Sequence, residues 1–142
     1  MIDVENLVID TISKALKASA YSNTLVTSEY TDAPSSFPCV SVVESDNYTY
    51  RKTQDDSLTE HHANLMYEVN VFSNKTKGAR SEVKAIMDIV DSTFQNIKFT
   101  RTTKLFIPNK DKTISRAVAR FEAIVAEGYT QNGSIIYQVY RK

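Results

Sequence analysis

The sequence predicts an α+β fold in which one domain, residues 1–142, holds a largely antiparallel sheet with two main helices packed on one face. Three observations predict it. Two stretches carry apolar residues at three- and four-residue steps, several others alternate apolar with polar, and they follow in the order helix, strands, helix, strands. No repeat, low-complexity tract or linker interrupts them, and 142 residues at 42% hydrophobic suit a single core.

The first helix is expected from Asp3 to about Ala18, where Val4, Leu7, Val8, Thr11, Ile12, Ala15 and Leu16 form one stripe. Its acids Asp3, Glu5 and Asp10 precede Lys14 and Lys17, the order that complements the helix dipole. A short extended run, Thr24 to Tyr30, leads into a loop from Thr31 to Pro38 whose two prolines exclude regular ladder pairing. Strands are expected at Cys39–Glu44 and Asn64–Ser73, paired as neighbours; the second sets Leu65, Tyr67, Val69 and Val71 against Met66, Glu68, Asn70 and Phe72. Between them, 45–63 has too little apolar surface to offset its own ordering, and should project as a hairpin tip or as a loop that a partner orders. The second helix, Thr76 to Phe94, carries Ala79, Val83, Ile86, Met87, Val90 and Phe94 on one face. A strand at Phe99–Ile107 breaks at Pro108-Asn109. A longer one at Thr113–Glu127 sets Ala117, Ala119, Phe121, Ala123 and Val125 opposite Arg116, Arg120 and Glu122. Asn132-Gly133 signals a tight hairpin into a last strand, Ser134–Arg141.

Composition narrows the function classes. The 17 Lys and Arg balance 17 Asp and Glu, so bulk attraction to nucleic acid or to an anionic membrane has no basis in net charge. Cys39 is the sole cysteine, which excludes an internal disulfide and a cysteine-rich zinc site and suits synthesis in a reducing cytosol. Acids stand at the N-terminus where a secretory signal would be basic, and no apolar run approaches the roughly 18 residues of a membrane span. No membrane role is expected.

Catalytic patterns are sparse. His61 and His62 are adjacent in an extended segment and point to opposite faces, a poor metal pair; HExxH, GxSxG, Walker and GxGxxG patterns are missing, and Gly78, Gly128 and Gly133 are too scattered to cradle a phosphate. Cys39 sits in an apolar strand and reads as a small buried hydrophobe. The expectation is no enzyme, no metal and no cofactor. An enzyme would need Glu68, Asp88 or the histidines to converge in a pocket.

Charge placement says more. Lys98, Arg101, Lys104, Lys110, Lys112, Arg116 and Arg120 stand against Asp111 alone, whereas Glu44 to Glu60 holds five acids against Arg51 and Lys52. These are either two solvated surfaces of opposite sign or the two sides of a head-to-tail contact between copies, the kind that closes into rings. Arg101, Lys104, Lys110, Lys112, Arg116 and Arg120 are accordingly candidate subunit-interface or lumen residues. In the lumen reading Arg116 and Arg120 meet the phosphates of passing DNA without base readout. Asp46, Arg51, Lys52, Asp55, Asp56 and Glu60 form a candidate partner-contact loop. A different class of function is a sequence-independent nucleic-acid binder using the basic strip with Phe99, Phe106 and Phe121 as stacking platforms, although Phe121 shares a face with the core alanines.

Several segments together resemble a known family. They are Pro34-Ser35-Ser36-Phe37-Pro38, Tyr67-Glu68-Val69-Asn70-Val71-Phe72-Ser73-Asn74, Lys77 through Asp91, Phe99-Thr100-Arg101-Thr102, Ile107-Pro108-Asn109 and Ser115 through Ala123. Their order and spacing, over about two thirds of the chain, resemble the tail terminator (tail completion) proteins of siphophages and prophages of Gram-positive bacteria. That resemblance implies a small α+β virion subunit, made in the bacterial cytoplasm, that assembles as a ring, usually a hexamer, on the head-proximal end of the tail tube. Such a ring stops tube polymerisation and joins the neck, so its partners are itself, the tail tube protein and a neck or head-completion protein. The family has no catalytic residues to carry over. The neighbouring possibilities are a head-tail adaptor or stopper, or the equivalent cap of a phage-tail-like bacteriocin.

Overall fold

A computed structural model describes residues 3–31, 34–49, 62–108, 112–126, 129–131 and 134–136. Helix α1 (Glu5–Lys17) buries Val8, Ile12 and Leu16, with Val4 just before it, at the spacing of its apolar stripe. The Asp3 carboxylate accepts the Glu5 N–H at 3.0 Å, using one of the orphan donors of the first turn. Strand β1 (Leu25–Thr27) lies parallel to the start of β2 (Cys39–Thr49); β3 (His62–Ser73) is antiparallel to β2. Helix α2 (Ala79–Asn96) follows, then β4 (Thr100–Ile107) and β5 (Ser115–Ala126). The sheet order is β1-β2-β3-β5-β4, so β5 inserts between β3 and β4, and all contacts but β1–β2 are antiparallel. A separate ribbon pairs β6 (Tyr129–Gln131) with β7 (Ser134–Ile136); its Asn132-Gly133 turn and residues 137–141 of the expected last strand lie outside the described residues.

The fold is α+β, with both helices on one face. Val40 and Val42 of β2, Leu65 to Val71 at alternate positions of β3, and Ala117, Ala119, Phe121 and Val125 of β5 meet α1 and α2 in one buried cluster. The alanines of β5 let α2 approach the sheet, and the space beside them is filled by rings. Phe94 stacks on Phe121 at 4.2 Å between centroids, and Phe99 meets Phe94 edge-on at 5.4 Å and Tyr67 at 5.8 Å. α2 ends where Lys98 turns left-handed at φ 70°, with Phe99 N–H donating to Phe94 O and Lys98 N–H to Gln95 O. This paired closure is the Schellman arrangement, and the Phe94–Phe99 contact is its hydrophobic clasp.

Two boundaries differ from expectation. α2 starts at Ala79 because Gly78, at φ 79°, takes the left-handed cap position. β2 runs on to Thr49 and β3 begins at His62, so both ends of the 45–63 segment belong to a ladder that pairs Thr49 with Ala63. The polar β2 residues there pair with Leu65 and Met66 of β3, which β5 backs in turn, so the partner strands supply the apolar side chains that the β2 extension lacks. Residues 50–61 lie outside the described residues.

Candidate functional site

The basic residues that look continuous in sequence are divided by the sheet. Arg101 and Lys104 face the helices: Arg101 Nη1 is 3.2 Å from Asp91 of α2, and Lys104 Nζ is 4.0 Å from Asp88. Arg116 and Arg120 face the other way. Arg116 donates from Nε and Nη2 to Asn70 Oδ1 at 3.1 and 2.9 Å and lies over the Phe72 ring, while Arg120 donates from Nε and Nη2 to Glu68 Oε1 at 3.2 and 3.1 Å. Lys112 is exposed in the β4–β5 connection, and Lys110 lies outside the described residues. A single strip of one sign on one face therefore does not form. The cause is a bulge between Arg101 and Thr103, which changes the parity of β4 and places Arg101 and Lys104 on the same side.

The face turned away from the helices is mixed. Asn70, Ser41, Phe72 and Cys39 are buried there, and the Ser41 hydroxyl donates to Glu29 O of the 28–38 segment at 2.8 Å. Further along the strands the same face opens out to Glu68, Arg120 and the half-exposed Leu105.

The acidic side of the molecule lies at β2. Glu44 shares the helix side of the sheet with Asp3 and Glu5 near the start of α1. Burial, together with the repulsion of those two acids, pushes its carboxyl above the usual carboxylate range, and hydrogen bonds from Asn47 and Tyr67 only partly offset this. A bulge between Glu44 and Asp46 turns Asp46 to the opposite face, where it is exposed. Of the candidate partner-contact residues Asp46 is the one described; Arg51, Lys52, Asp55, Asp56 and Glu60 lie outside the described residues.

No catalytic constellation assembles among the described residues. Glu68 and Asp88 lie on opposite sides of the sheet, and no group of three or more His, Cys, Asp or Glu has metal-holding geometry. The Cys39 thiol is buried and pushed up to about 11 by that burial, the reverse of what a nucleophile needs. The proposed stacking platforms are spent elsewhere. Phe99 and Phe121 are in the core, and Phe106 lies beneath the Arg80 guanidinium at 3.8 Å. No helix among the described residues is long and apolar enough to cross a membrane.

Among the described residues the fold presents two unpaired strand edges. β4 is terminal in the sheet, and β1 covers only Cys39–Ser41 of β2, so among the described residues the outer side of β2 from Val43 to Thr49 also lacks a strand partner. No protein-family model matches the chain, and no curated protein is significantly similar to it.

Proposed function

We propose that the protein is a structural virion subunit that caps the head-proximal end of a phage tail tube, ending tube growth and forming the joint to the neck. The observation that carries this reading is the order and spacing of the segments resembling tail terminators. It is supported by the α+β fold, whose five-stranded sheet ends among the described residues in strand β4. The action is recognition, with the tail tube protein, a neck protein and further copies of the chain as partners. Passage of DNA through the ring would bring Arg116 and Arg120 to phosphates. Their shared face supports this, while their bonds to Asn70 and Glu68 leave less of each guanidinium to offer.

The test is to mix the purified protein with the tail tube protein encoded beside it, and to follow the product by mass measurement and negative-stain microscopy. Rings at one end of tubes that have stopped growing are the expected result. Binding to portal or neck rings instead would move the protein to the head side as a stopper or adaptor, and binding to neither would overturn the assignment.

A further inference from the structure

We infer that the second half of β4, Thr103 to Ile107, together with Arg80 of α2, is a docking edge for an extended segment of a partner protein in which an acidic residue stands between two apolar ones. The inference goes beyond the tail-cap reading and does not rest on it.

The seam between α2 and β4 is unevenly balanced. β4 runs back along α2, so the second half of the helix meets the start of the strand and the first helical turn meets the strand's last residues. At the start of β4 each cation of the strand has an acid of the helix beside it: Arg101 lies 3.2 Å from Asp91, and Lys104 4.0 Å from Asp88. At the other end the cation belongs to the helix, and the strand meets it with a ring. The Arg80 guanidinium lies 3.8 Å from the centroid of Phe106, and among the described residues it has neither a carboxylate nor a hydrogen-bond acceptor. Lys84, one turn further along α2, is exposed and likewise unpaired among the described residues. A guanidinium stacked on a ring has already lost much of its rotamer freedom while its N–H groups stay available, so it can take a carboxylate bidentately at little further ordering cost.

The strand beneath supplies the other elements of such a site. β4 is terminal in the sheet, and Thr103 to Ile107 lies beyond its bulge and before Pro108, so its outward backbone groups form a regular edge with no strand partner among the described residues. Its side chains alternate. Phe106, opposite Ala117, faces the helices, whereas Leu105, opposite Val118, and Ile107, opposite Arg116, face the other way. Leu105 is 46% exposed, one of the two large hydrophobic side chains that stand open among the described residues. Exposed edges are ordinarily blunted by charge or proline along their length. Here the one charge within the stretch, Lys104, is turned onto Asp88, and the three residues after it are apolar.

These placements specify the occupant by its chemistry. A strand added to β4 takes its affinity from backbone bonds and its specificity from side chains that alternate in step with the edge. A residue set beside Phe106 lies on the helix side, within reach of Arg80, and is served best by Asp or Glu. The residues before and after it lie beside Leu105 and Ile107 on the other face, where apolar side chains extend the contact. A nucleic-acid phosphate could satisfy Arg80 and Lys84 but would use neither the ladder edge nor Leu105, so the observations favour a polypeptide.

The experiment is selection of a displayed library of random short peptides on the full chain and, in parallel, on its Arg80→Glu variant, an exposed change that leaves the core untouched. The native chain should enrich Asp or Glu flanked by apolar residues, and Arg80→Glu should replace that acid by Lys or Arg. Peptides selected on the native chain should bind Arg80→Gln and Leu105→Asp about tenfold or more weakly, and should shift the backbone amide resonances of Thr103 to Ile107. The same motif from both chains, no motif at all, or resonance shifts confined to other strands would overturn the inference. Binding of a single-stranded oligonucleotide that exceeds every selected peptide and is lost in Arg80→Glu would overturn it too, in favour of a phosphate-binding surface.

Discussion

The two faces of this sheet are held by different physics, although they share the same strands. On the helix side Tyr67, Phe94, Phe99 and Phe121 interlock with aliphatic side chains from both helices, and cohesion scales with buried area. On the other side stand specific polar pairs: Arg116 on Asn70, Arg120 on Glu68, Ser41 on the 28–38 segment. The helix face decides whether the domain folds. The other face adds less to that: it buries Phe72 and Cys39 beside its polar pairs and, further along the strands, keeps chemical variety at the surface.

Substitutions that separate the faces should show this asymmetry. The largest effect is expected from Phe94→Ala, which empties the centre of the ring cluster and should cost about 3–5 kcal/mol in denaturant unfolding. A loss below about 1 kcal/mol would mean that the core does not depend on these rings. Asn70→Ala comes next. It removes a buried acceptor from two guanidinium N–H groups and should cost about 1–3 kcal/mol, making it the most expensive single polar change on the open face. Arg120→Ala should cost less than about 1 kcal/mol, and a double-mutant cycle with Glu68→Ala should return a coupling of the same small size, because the guanidinium is half exposed. A large coupling there would erase the contrast between the faces.

The last prediction is a pH dependence. Because the folded carboxyl of Glu44 titrates above its unfolded value, the native state binds its proton more readily. The contribution of this residue to stability is therefore greatest in acid, falls as pH rises from the ordinary carboxylate value through the raised one, and remains unfavourable at neutral pH. Glu44→Gln should remove that slope and gain on the native protein as pH rises. Parallel stability curves for the two proteins between pH 4 and 7 would mean that neither burial nor the neighbouring Asp3 and Glu5 raises this carboxyl.

Much of the scaffold is legible in the sequence, and the reasons are local. Both helices announce themselves by three- and four-residue spacing, and β3 and β5 by strict alternation, so the residues assigned to the core face of each are the ones that meet the helices. The fold class follows from the order of those elements. Less visible is anything that depends on a partner strand. Arg101 and Lys104 are three residues apart, which in a regular strand puts them on opposite faces; the bulge at Thr102 brings them together, and no residue type marks it. The acids that take them up, Asp88 and Asp91, read in sequence as the polar side of a helix. The continuation of β2 to Thr49 was hidden because the apolar side chains there belong to β3. The strand edges were hidden for the same reason: an edge is defined by the absence of a neighbouring strand.

The stop of α2 has a consequence for β4. The amide protons of Lys98 and Phe99 are held by carbonyls of the last helical turn, with two aromatic rings clasped over them. They should exchange with deuterium more slowly than the alternate amides of β4, one or two residues further on, which point away from β5. Within a few residues the chain thus passes from protected backbone to exposed backbone, and isotope uptake at the outward amides of β4 is a direct gauge of whether anything has docked there.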